Sequence, residues 1–289
     1  MDISPLRTAL AATLILVTTT ACSTGRIPEP PAGASARIDA IRQRGTLRVA
    51  VLDEYPWLIR QPPGSLQPFE GPAWILAEDY ARRLGVTIEP IETRFSNKVS
   101  ILAEDGADLT IAPLLRTPER DAVVDLVVYS KAAHCVFGLA DNPRLAEAWT
   151  LDDLDRQDIT IGTIAGTPQG AWLQGRLPRA GRREAPGTLA DLATDEVVSG
   201  RADVAPIDKF FFSGLSRRTP GLVTIPRGDA CMASEELPIE IGLAADKAQP
   251  EFVAWLRAVA AEIRPRVEAE QARVIAADAA AAASPPVAP

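Results

Sequence analysis

Apolar runs of strand length alternate with helix-start signals through most of this chain, and that alternation limits the fold more than any other feature. Residues 47–52, 86–91, 108–112, 123–129 and 135–140 read as strands, several of them apolar on both faces. Strands buried on both faces suit a parallel sheet with helical crossovers. Between them, Trp74, Ala77, Tyr80, Ala81 and Leu84 recur at helical spacing up to Gly85, with Trp74 on the core face. Ser96-Asn97 caps a second, shorter helix. The fold class that follows is α/β.

The stretch 107–120, ADLTIAPLLRTPER, is the centre of this pattern. Its strand is expected to stop at Pro113. Thr117 reads as a helix N-cap, with Pro118 at the first helical position and Glu119 in the first turn. Ligands of open α/β sheets sit beyond the carboxyl ends of strands, where helix N-termini point outward. Arg120 falls in that first turn. A guanidinium beside free N–H groups is suited to hold a carboxylate through two parallel hydrogen bonds.

The pattern then restarts. Residues 159–164 read as a strand, and Gly166-Thr167-Pro168 repeats the cap-and-proline signal. Residues 177–187 read as loop. Thr188 caps a helix ended by Gly200, and the strand 202–207 runs into Asp208, with Asp203 at its start. A strand at 239–245 and a helix at 250–263 follow, and Pro265 ends or kinks that helix. Two similar units suggest two lobes facing across a cleft. An arginine from one and an aspartate from the other would hold the opposite charges of a zwitterion.

Composition narrows the function. Apolar residues make up 47% of the 289, enough for real cores. The formal net charge of -8 leaves no basic stripe for nucleic acid. Residues 1–22 read as an export signal: Arg7, an apolar run at 9–17 too short to span a bilayer, then Thr20-Ala21-Cys22. This resembles a lipoprotein lipobox, with Cys22 the lipidated residue, although Thr19 stands where leucine is usual. Residues 23–36 read as a flexible tether. The remaining cysteines, Cys135 and Cys231, either pair in an oxidising compartment or stay as separate buried thiols. With one histidine, His134, and no clustered thiolates, no metal or other cofactor is expected. The expected division is a first lobe at 37–136, a second at 137–235, a return to the first at 236–275, and a disordered tail at 276–289.

Taken in order, several short motifs resemble those of the extracellular solute-binding proteins of family 3, the polar amino-acid receptors of ABC importers. Tyr55-Pro56-Trp57, Asn97-Lys98-Val99, Thr117-Pro118-Glu119-Arg120 with Val124-Asp125, Gly166-Thr167-Pro168, and Gly200, Asp203 and Asp208 carry the resemblance. It implies a type II periplasmic-binding-protein fold: two lobes, each a mostly parallel sheet flanked by helices, joined by hinge strands near 135–140 and 239–245. It implies that Arg120 grips a ligand carboxylate, helped by backbone near Pro113, Leu115, Gly166 and Thr167. Asp208 would accept from the ammonium, and Tyr55 and Trp57 would pack on the side chain. It further implies a monomer, exported to the periplasm or cell surface, attached to the membrane by lipid only, that hands an amino acid or related zwitterion to an ABC permease. Pro113, Leu114 and Leu115 depart from the family's small or hydroxyl residues, which makes the side-chain pocket more apolar. Two alternatives remain. One is an enzyme on the same scaffold, similar to a cyclohexadienyl dehydratase, for which Asp53 and Glu54 are the nearby acids, read as solvated loop charges. The other is a ligand-sensing lipoprotein.

Overall fold

The computed structural model describes residues 30, 33–94, 96–164, 167–185 and 191–283. The export signal with Cys22, most of the tether, Gly166, Thr188 and residues 284–289 lie outside them.

The first half runs α1 (Ala36–Arg44), β1 (Thr46–Val51), β2 (Ile59–Arg60), β3 (Phe69–Glu70), α2 (Pro72–Leu84), β4 (Thr87–Glu92), α3 (Ser100–Ala103), β5 (Leu109–Leu115), α4 (Pro118–Val123) and β6 (Val124–Ala132). Then come β7 (His134–Leu139), two 3-10 turns, β8 (Thr160–Ile164), α5 (Pro168–Arg176), β9 (Gly181–Ala185), α6 (Asp191–Val198), β10 (Val204–Asp208), α7 (Phe212–Arg218), β11 (Leu222–Ile225) and α8 (Asp229–Met232). The chain closes with β12 (Ile239–Asp246), α9 (Pro250–Glu262) and α10 (Arg264–Ala283).

Among the described residues these strands form two five-stranded sheets, β4-β1-β5-β12-β6 and β11-β7-β10-β8-β9, beside the small β2-β3 ribbon. In each large sheet four strands run one way and one runs against them. The reversed strand is β12 in the first sheet and β7 in the second. β7 opens the second sheet, and β12 brings the chain back to the first. The chain leaves the first sheet at Ala132, enters the second at His134, and is back in the first at Ile239. The expected hinge strands are thus complete sheet members, and the first crossing lies at Ala133 rather than after 136.

Local chemistry accounts for the helix starts. Thr117 and Thr167 have extended backbones, and their hydroxyls accept from Arg120 N and Gly170 N. Gly71 precedes α2 at φ 108, and a Cβ there would lie 2.7 Å from the Trp57 carbonyl oxygen, so only glycine fits.

Four expectations fail for identifiable reasons. Pro113 does not stop β5, which continues to Leu115; the missing N–H falls where the β5–β12 register shifts, between the Gly242 and Ala244 pairings. Residues 181–185 are not loop but the edge strand β9, parallel to β8; charged side chains on an edge hide the apolar signal. Asn97 does not cap α3; its side chain accepts from Arg94 N and Thr93 Oγ1 and closes the preceding turn. The tail is helical through Ala283, because alanine is the strongest helix former and Val267 and Val274 are buried.

The main core packs α2 and α9 on the first sheet, with Trp57, Tyr80 and Phe252 fully buried. A separate cluster around Leu173, Ile161 and Ile225 fills the second. Phe210, from the loop after β10, inserts into the first core and joins the halves. α10 also spans them. Its Gln271 accepts from Ser130 at 2.7 Å, and its Asp278 pairs with Arg217 at 2.9 Å. The structure joins Cys135 and Cys231 by a disulfide, with Cα atoms 5.7 Å apart. No described helix is long and apolar enough to cross a membrane.

Candidate functional site

Three strands bring their carboxyl ends together: β5 in the first sheet and the parallel neighbours β10 and β8 in the second. Beyond their carboxyl ends lies a cavity of about 400 Å³. It brings together Leu115 from β5, Thr167 at the start of α5, and Asp208 from β10. These three sequence-predicted residues therefore share one wall.

Asp208 is the chemical centre of the cavity. Burial pushes its carboxyl up to about 7, and the nearby Glu54 charge adds to the rise. Phe210 N–H, at 2.9 Å, and the Lys209 charge oppose it. Lys209 itself donates to the Met232 and Ser234 carbonyls at 2.9 and 3.0 Å. No cation pairs directly with Asp208 among the described residues.

Arg120 stands behind Leu115 rather than in the cavity wall. Its N–H donates to Thr117 Oγ1 at 3.3 Å, and its guanidinium donates to the Leu115 carbonyl at 2.6 Å. The side chain thus folds back over the strand end, as its first-turn position predicts. Burial lowers its pKa, and Glu54 pulls the other way.

Glu54 corrects the reading of a solvated loop charge. It is held by a two-way backbone bridge with Leu58, and its side chain is only 15% exposed. Burial raises its pKa against the opposing charges of Lys98 and Arg120. Lys98 Nζ approaches it at 3.4 Å and donates to the Pro113 carbonyl at 2.6 Å. Pro113 therefore contributes a buried acceptor to this cluster, not a cavity surface. Asp53 is exposed, as expected.

The two aromatic candidates lie elsewhere. Trp57 is 1% exposed. Its Nε1 donates to Ser130 Oγ at 3.0 Å, and its ring meets Phe210 and Phe211 edge-on at 5.7 and 6.1 Å. It braces Phe211, which does line the cavity. Tyr55 is half-buried and faces a second cavity of about 250 Å³ beside Phe210, Ile275 and Asp278. Burial, with the Asp278 carboxylate next, pushes its hydroxyl up to about 12.

Sequence reasoning missed Phe211, His134 and Gln169, all on the cavity wall. Three phenylalanines after the Asp208 strand end were the available signal for Phe211. His134 pairs with Asp208 in the β7–β10 register, a relation invisible along the chain. Its ring is 3.1 Å from the Leu237 carbonyl through Nδ1 and 3.3 Å from Gln169 Nε2 through Nε2. Burial lowers its pKa, which favours a neutral ring that donates to the carbonyl and accepts from the amide. No group of three or more His, Cys, Asp or Glu side chains is placed to hold a metal among the described residues.

Residues 47–272 match the bacterial extracellular solute-binding proteins, family 3. Among solved structures, the chain is similar to an ancestral cationic amino-acid solute-binding protein, at TM-score 0.58 and 24% identity, over 83% of this chain and 98% of that one. An amino-acid ABC transporter substrate-binding protein from Streptococcus pneumoniae, bound to L-arginine, gives TM-score 0.57 and 22% identity over 86% and 100%. An ancestral cyclohexadienyl dehydratase gives 0.52 and 23% over 83% and 96%. At these identities the likeness is one of fold. A search of curated proteins found no significant match.

Proposed function

This chain belongs to the bacterial extracellular solute-binding proteins, family 3, and on that premise we propose that it captures an amino acid or related zwitterion by closure of two lobes. The lobes follow the sheets: residues 36–132 with 239–283, and residues 134–232. The observation that carries the reading is Asp208. A cavity whose wall carries a half-buried carboxylate, with no direct cationic partner among the described residues, is ready for an ammonium group. Arg120, in the first turn of α4 in the other lobe, supplies the opposite charge once its guanidinium turns from the Leu115 carbonyl toward a ligand carboxylate. Ligand contacts to both lobes then favour the closed state.

In this reading the protein is exported to the periplasm or cell surface, anchored by lipid on Cys22, monomeric, and a partner of an ABC permease. A thermal-shift panel of the twenty amino acids, on the chain from residue 23, tests the ligand class. At 100 times its Kd a ligand adds roughly 2.7 kcal/mol. Arg120→Ala and Asp208→Ala should each abolish the shift. If no amino acid raises the melting temperature, the reading is lost.

Glu54 favours one second reading. A carboxyl with a raised pKa beside Arg120 is the acid that a dehydratase on this scaffold would need. Consumption of a prephenate-like acid, lost in Glu54→Gln, would establish it.

A further inference from the structure

Building on the amino-acid reading above, we infer that the cleft takes a bulky apolar side chain, aliphatic or aromatic, and rejects a cationic one. The wall is dominated by Leu115, Phe137, Ile164, Ile207, Phe211 and Leu215. Two of these are conspicuously uncovered: Leu115 is 38% exposed and Phe211 41%. Leu115 ends β5 in the first sheet and Phe211 lies in the turn between β10 of the second sheet and α7, and both face the same space. Apolar surface left open on both sides of one cavity is covered when an apolar group enters between them. Phe211 is also fixed in place, because the Trp57 ring meets it edge-on at 6.1 Å and 89°.

Charge argues the same way. Asp208 is the only carboxylate on the described cavity wall, and the ligand ammonium uses it. A second positive charge on the side chain would enter the cavity with no carboxylate left to meet it, which is costly. Glu54 is the next carboxylate, but it lies outside the wall and is engaged by Lys98 at 3.4 Å. Arg218 does line the cavity, yet it is exposed at the end of α7, where water screens it against an anionic side chain. The cavity of about 400 Å³ has room for a residue as large as phenylalanine or tryptophan.

Calorimetric titration of the chain from residue 23 with leucine, methionine, phenylalanine, tryptophan, arginine, lysine and glutamate tests this. At least one apolar amino acid should bind tenfold or more tightly than arginine, lysine and glutamate. Phe211→Ala should weaken the apolar ligand by about tenfold with an unchanged melting temperature. Phe211→Glu should shift preference toward lysine and arginine. Tighter binding of arginine, lysine or glutamate by the unaltered protein overturns the inference and leaves the amino-acid reading standing. If none of the seven binds, the inference falls, and the thermal-shift panel of all twenty decides whether the amino-acid reading falls with it.

Discussion

Asp203 stands just before β10 and Asp208 ends it, and the two receive opposite treatment. Asp203 is 4% exposed and accepts from Thr160 N at 2.8 Å, Asn142 Nδ2 at 2.8 Å and Arg144 Nη1 at 2.9 Å. Among the described residues Asp208 accepts a single hydrogen bond, from Phe210 N, and burial raises its carboxyl to about 7. The first sheet repeats the Asp203 arrangement twice. Asp108, 2% exposed, takes Arg37, Arg44 and Arg48. Asp79, also 2% exposed, is pulled to the ionised side by Arg82 and Arg83 against the effect of burial. Where this fold needs a buried carboxylate as a brace, it surrounds it with donors. Where it leaves one short of donors, that carboxylate lies on the wall of a cavity. The braces are fully enclosed and supplied with several donors, whereas the carboxylate at the cavity is half-buried and has one.

Substitutions can break this contrast. The largest effect is expected for Asp108→Ala, which removes the one buried carboxylate shared by Arg37, Arg44 and Arg48 and leaves only the exposed Asp105 beside two of them. Urea unfolding should show a loss of about 3–5 kcal/mol. Next comes Asp208→Asn, read by ligand titration, where the unpaired ammonium should cost about 2–3 kcal/mol of affinity. Its stability should not fall and should rise near neutral pH, because no donor network is lost and the amide carries no charge to hold in the folded state. Asp203→Ala should do the reverse, with about 2 kcal/mol lost in unfolding and ligand affinity kept in the folded fraction. A large stability loss in Asp208→Asn would show that the two aspartates do the same work.

The smallest effect is a pH slope, and its sign differs between two observables. The Asp208 carboxyl sits at about 7 when folded against a model value of 3.8. The ligand-free protein therefore binds that proton more tightly than the unfolded chain. Stability from this group is full below the lower value and is lost as pH rises through the upper one. Ammonium binding needs the ionised form, so affinity should rise with pH up to about 7, by at most tenfold per unit, and then level. Opposite trends in melting temperature and ligand affinity across that window, with both melting temperature and Kd falling as pH rises, would single out Asp208. Parallel trends would remove it from the site.

How much of this was legible in the sequence depended on the range of each interaction. Thr117 and Thr167 act on backbone three residues away, and both caps are where the local signal put them. Arg120 likewise reaches Leu115 within its own loop. Trp57 looked like a ligand contact because nothing nearby explains an aromatic at a strand end. Its partners are Ser130, Phe210 and Phe211, which only folding supplies. Glu54 looked solvated because Lys98 is distant along the chain. Pro113 obeyed the rule for proline, but a register shift in the partner strand absorbed the missing donor. The strand order shows the same limit. Alternation of strands and helices announced two α/β units, yet nothing local placed β12 between β5 and β6.

That placement has a consequence for how the molecule comes into being. A chain made from its N-terminus presents β5 and β6 long before β12, with the whole second sheet in between. Until residues 239–246 arrive, those two strands lack the neighbour that separates them, and each keeps an open edge. The first half cannot mature first and wait for the second; its sheet closes only when the last strand slides into the gap. Nascent or truncated chains ending before Ile239 therefore hold two unsealed edges rather than one finished lobe, and the order of synthesis itself keeps this protein open until nearly all of it exists.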